Sequence, residues 1–80
     1  MDRKVKLIWD FRGPDSLHIA KHHEIHLQDF IKGKKIKDRE ITGTEKISEM
    51  HSIAYWVIME SEIHSYKDIL KPQRATLYEE

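Results

Sequence analysis

Along the first dozen residues, Val5, Leu7, Trp9 and Phe11 alternate with Lys6, Ile8 and Asp10. Period-2 spacing with β-branched and aromatic side chains predicts a strand. Gly13-Pro14 ends it, because proline has no N–H for a ladder and glycine permits a sharp turn. Proline also suits the first turn of a helix, and Asp15 stands where the helix dipole is positive. From Pro14 to Lys32, residues Leu17, Ile19, Ala20, Leu27, Phe30 and Ile31 share one arc at about 100° per residue, with Ile25 off it. The spacing predicts a long amphipathic helix. Lys32-Gly33-Lys34-Lys35 is its stop signal: a glycine for the left-handed position past the end, and cations at the negative end of the dipole.

Lys34–Arg39 reads as a basic, solvated connector and Ile41–Met50 as a polar strand with weak alternation. Ser52–Met59 is the most β-prone stretch of the chain. Ile53, Tyr55, Val57 and Met59 face one way and Ala54, Trp56 and Ile58 the other, the mark of a central strand covered on both sides. Ser61 is placed to cap a short helix over Glu62–Leu70, with Ile63, Tyr66, Ile69 and Leu70 inward and Pro72 ending it. Ala75–Tyr78 closes the chain as a last short strand. The order βαββα(β), with short connections and right-handed crossovers, predicts an α+β two-layer sandwich of the ferredoxin-like kind, first and third strands central. The polar second strand suits an edge. The competing pattern is a mostly helical bundle. Thr42-Gly43-Thr44-Glu45 reads as a capping box, and Ile47, Met50, Ala54 and Val57 also fit helical spacing.

Length and charge narrow the function. Eighty residues predict a single domain over 1–80, with a marginal core that buries about 63% of the unfolded surface. Hydrophobic residues at 39% are too many for an obligately disordered chain, and 14 basic against 14 acidic side chains leave no surplus for coating nucleic acid. Lys32, Lys34, Lys35, Lys37 and Arg39 cluster, but no aromatic is interleaved to stack a base. Cysteine is absent, which removes disulfides, thiolate metal sites and cysteine nucleophiles. The longest apolar stretch, Ile53–Met59, is far short of the ~20 residues of a membrane span. The start, Met1-Asp2-Arg3-Lys4, leads into a short apolar run with no small-residue cleavage site, so no leader is expected. The expectation is a cytoplasmic domain with neither membrane nor nucleic-acid partners.

A sheet with helices on one face only leaves its other face bare. If Ile8 and either the Trp56 or the Tyr55 set lie there, water meets an apolar patch that two copies can hide by pairing sheet to sheet. A homodimer is therefore expected. The strand ending in Trp9-Asp10-Phe11-Arg12-Gly13, the histidine-bearing first helix and the β-β-α order resemble the small dimeric α+β barrel domains. These include the stress-responsive, EthD-like and YCII-like families and the antibiotic-biosynthesis monooxygenases. The resemblance covers most of the chain and is one of architecture, so it carries no catalytic residue over. It implies a dimer and, in members with a ligand pocket, a pocket between the helices and the sheet of each subunit.

Six histidines stand out, four of them within His18–His26. His18, His22 and His26 form an i, i+4, i+8 stripe beside the apolar arc, with Asp29 near its end, spacing that suits a divalent transition metal. No His-Glu-x-x-His pattern accompanies them, and a third ligand would come from elsewhere, for which His51 and His64 are candidates. The plain alternative is a solvated polar face. His23 falls in the middle of the apolar arc, where an imidazole must find a partner. Facing Trp9, Phe11 or Tyr55, it would give a helix–sheet pocket one acid–base group. Arg12, where the first strand turns into the helix, would hold an anionic ligand there, or pair with Asp10 at the surface. No phosphate loop, nucleophile elbow or apolar carboxylate pair is present. Three functions remain: a small-molecule binder at His23, Arg12, Trp9, Phe11 and Tyr55; a small cofactor-free enzyme of oxygenase or isomerase type using His23 and Arg12; and an oligomerisation module without a ligand.

Overall fold

The computed structural model describes residues 3–33 and 41–78. They form β1 (Lys4–Arg12), α1 (Ser16–Gly33), β2 (Ile41–Ser48), β3 (His51–Met59), a 3-10 turn (Glu60–Glu62), α2 (Ile63–Leu70) and β4 (Arg74–Leu77). The strands make one antiparallel sheet in the order β2-β3-β1-β4. The fold is α+β, and the helical-bundle alternative is overturned. Ile41–Ser48 is extended and pairs with β3 from Ile41↔Val57 to Ser48↔His51. The β-branched and aromatic run of β3 outweighs the capping-box pattern, and Thr42 instead donates its hydroxyl to Glu24 of α1 at 2.9 Å. The basic connector Lys34–Arg39 lies outside the described residues.

Register decides which side chains share a face. Val5, Leu7, Trp9 and Phe11 stand opposite Ile58, Trp56, Ala54 and Ser52, so these eight point to one side. Both helices pack there. Leu27 and Ile31 of α1 complete a core with Val5, Leu7, Trp9, Trp56 and Ile58, and Ile63, Tyr66 and Leu70 of α2 close its end. Phe30, Trp56 and Tyr66 meet ring to ring at 4.9–6.3 Å, and the Trp9 indole N–H donates to the Leu70 carbonyl at 2.9 Å. Ser16 and Ser52, both buried, bond to each other at 3.1 Å and tie the start of α1 to β3.

Some local expectations need correction. Ile19 and Ile69 are exposed rather than inward, because each lies at the rim of its helix's apolar arc. Gly33 is the last residue of α1 and has no positive φ; the glycine that needs one is Gly13, with φ 115°, in the turn out of β1. Glu62, not Ser61, takes the cap position of α2, without a side-chain cap bond, since the 3-10 turn already leads the chain into that helix.

The other face carries Lys6, Ile8 and Asp10 of β1 with Ile53, Tyr55, Val57 and Met59 of β3. No described helix packs on it. Yet Ile8, Ile53 and Val57 are buried within the single chain. Long polar side chains lie across the face: the Lys6 ammonium sits 4.2 Å from the Tyr55 ring centroid, and Arg74 reaches from β4 to Asp10. Tyr55 lies flat over Gly43, its partner on β2, where a Cβ would stand 2.6 Å from the ring's Cζ. Less apolar surface is bare than the sequence pattern implies.

Candidate functional site

Titratable side chains gather on both faces of the sheet. On the helix side, α1 delivers His23 onto β1, with ring centroids 5.0 Å from Trp9 and 5.4 Å from Phe11. The β1 alternation brings the two aromatics to this side together, and the long helix carries the imidazole over them. His23 Nε2 is shut off from solvent and makes no hydrogen bond. Burial, and then the nearby His26, push its pKa below the ordinary 6.5, so the ring is neutral at pH 7. A neutral imidazole between aromatic walls offers one hydrogen-bonding position, donor or acceptor by tautomer.

Of the residues expected beside His23, Trp9 and Phe11 are there and Arg12 and Tyr55 are not. Arg12 pairs with His51 and Tyr55 with Ile8, which places both on the opposite face. Parity along the strand is the reason, since Arg12 shares a side with Asp10 and Tyr55 with Ile53. In the histidine stripe, His22 and His26 come together, Nε2 to Nε2 at 3.0 Å. Among the described residues no group of three His, Asp or Glu is arranged to hold a metal, so His18 does not complete the pair. His51 belongs to the other face of the sheet. An open depression of ≈ 330 Å³ lies where α1 begins against the β2–β3 hairpin, lined by Pro14, Ser16, His18, Lys21, Lys46 and Glu49. His23 does not line it.

The open face holds a constellation that sequence reasoning missed. Asp10 of β1 accepts from Arg74 of β4, Nε to Oδ2 at 3.1 Å and Nη2 to Oδ1 at 3.0 Å. His51 Nε2 of β3 sits 2.8 Å from Asp10 Oδ1, and the Asp10 backbone N–H donates to Gln73 Oε1. Burial would raise the Asp10 carboxyl, but the hydrogen bonds and charges of Arg74 and His51 outweigh it and hold the pKa below 3.8. An ionised carboxylate only accepts, so His51 must present an N–H at Nε2, which leaves Nδ1 as the ring's second position. The available signal was parity: Asp10 and Ile8 share a face of β1, as His51 and Ile53 do of β3. The β1–β3 register needed to join them is not written locally.

No family model, no curated protein and no solved structure matches the chain.

Proposed function

We propose that this is a small ligand-binding domain that takes a small apolar molecule with one hydrogen-bonding group at His23, between α1 and the sheet, in space that opens as the ligand enters, since the depression beside α1 does not reach His23. The observation that carries the reading is the buried, unpartnered Nε2 between Trp9 and Phe11. Leaving such a group unmet costs about 1–3 kcal/mol, and a ligand's donor or acceptor relieves that cost. A ferredoxin-like topology belongs to the same proposal, supported by the order β2-β3-β1-β4 and by both helices lying on one face. So do kinship with the dimeric α+β barrel domains, homodimerisation through the open faces and a cytoplasmic setting. Support for pairing is that no described helix packs on that face; light scattering at 9.6 kDa rather than twice that mass would remove it. An enzyme built on His23 with Arg12 is disfavoured, because the sheet separates them.

Phenol and toluene are suitable probes, alike in ring and different in hydroxyl. In spectra edited on the imidazole nitrogens, phenol is expected to shift His23 Nε2 saturably and toluene to act more weakly. His23→Leu is expected to raise unfolding stability by about 1 kcal/mol and abolish the phenol response. A His23 ring indifferent to phenol contradicts the proposal and favours a domain acting through its oligomer alone.

A further inference from the structure

The cluster on the open face is more than three strands need in order to pair. From its residues we infer a second site, in which His51 Nδ1, Arg12 and the outer donors of Arg74 receive the oxyanion head of a small organic acid. Asp10 and His51 have side chains only 17% and 15% exposed, although no described helix covers them. Both Asp10 oxygens are occupied, Oδ1 by His51 and Arg74 and Oδ2 by Arg74. The carboxylate is thus spent internally. Its bond to Nε2 fixes the His51 ring, and Arg74, half exposed, uses Nε and Nη2 on Asp10 and keeps Nη1 free of it.

Arg12 adds the remaining charge. It stands directly opposite His51 in the β1–β3 register, on the same face, and is exposed. Two guanidinium groups, of Arg12 and Arg74, stand here against the Asp10 carboxylate, with Glu45 farther out, across from Ile53 on β2. Such a corner attracts anions. Ile8 and Ile53 lie beneath it, 4% and 2% exposed, Ile8 across from Arg74 and Ile53 across from Asp10, and a hydrocarbon body reaches this apolar floor only as the long side chains over it move aside. A charged head next to an apolar floor fits a carboxylate with a hydrocarbon body better than a bare inorganic ion. The site is separate from His23, which lies through the sheet, and each has its own reporting histidine; because it lies on the face proposed to pair, benzoate and dimerisation compete for it.

Titration of the full chain with benzoate, acetate and inorganic phosphate, read on the His51 ring, tests this. Benzoate is expected to shift His51 saturably and to bind at least tenfold more tightly than acetate. Phosphate binding as tightly as benzoate would overturn the role of the apolar floor. Arg12→Gln is expected to weaken benzoate about tenfold with an unchanged fold. His51→Gln sharpens the test, because its amide can still donate to Asp10 while nothing replaces Nδ1: stability should hold and benzoate binding fall. If benzoate leaves His51 unmoved, or binds both variants as it binds the wild type, the cluster is a structural clasp only and the inference fails.

Discussion

One sheet here separates two environments that treat charge in opposite ways. On the helix side, burial and the nearby His26 push His23 below its ordinary pKa, and burial with Glu62 pushes Tyr66 above its own. Both shifts favour the neutral form. On the open side Asp10, though partly buried, is shifted toward its charged form by Arg74 and His51. The difference is the partner. His23 and Tyr66 meet apolar and aromatic neighbours that give an ion little, whereas Asp10, His51 and Arg74 meet one another across neighbouring strands. For a strand residue here, parity along the strand decides which of the two environments it enters.

The largest expected effect comes from two adjacent residues. Leu7 and Ile8 are 0% and 4% exposed, yet face opposite ways. Leu7→Ala leaves a cavity among Trp9, Trp56 and Leu27 that packed rings cannot fill, and should cost about 3–4 kcal/mol of the roughly 4–12 available to a domain this size. Ile8→Ala should cost about 2 kcal/mol, because the long side chains over it can settle. Equal losses in urea unfolding would mean that the two faces are equally packed.

Next is Asp10→Asn, which breaks the cluster linking β1, β3 and β4. About 1–2 kcal/mol is expected, reduced from a fully buried case because Arg74 is half exposed. A folded pKa below 3.8 means that Asp10 contributes stability above that pH and loses it as pH falls through the folded value. Wild type and Asp10→Asn should therefore differ at pH 7 and converge in strong acid. A constant difference down to pH 2 would break the assignment.

The smallest effect belongs to His23. With its folded pKa depressed, its contribution is complete above 6.5 and declines as pH falls from there toward the folded value. From pH 7 to 5 the wild type should lose stability and His23→Leu should lose less. A steeper loss in the variant would contradict the neutral, buried ring.

Much of the fold was legible because β1, α1 and β3 carry strong, unbroken periodicities in side chains that must be buried. Trp9, Phe11 and His23 could be grouped from those periods alone, and they do meet. Arg12 and Tyr55 were misplaced by neighbourhood in sequence, where alternation assigns Arg12 to the side of Asp10. The Asp10 cluster was less accessible, since its members lie 41 and 64 residues apart and depend on two strand registers. No hairpin signature fixes the β2–β3 turn, and β4 carries only four residues, all exposed. Such registers are set by the packed sheet as a whole, so polar partners across them emerge only with it.

Site-resolved titration of His23 and Asp10 by NMR in the same sample tests the account most directly. It predicts His23 below 6.5 and Asp10 below 3.8, one face rejecting its charge and the other keeping it. His23 at or above 6.5 together with Asp10 at or above 3.8 would show that the sheet does not divide the molecule in this way.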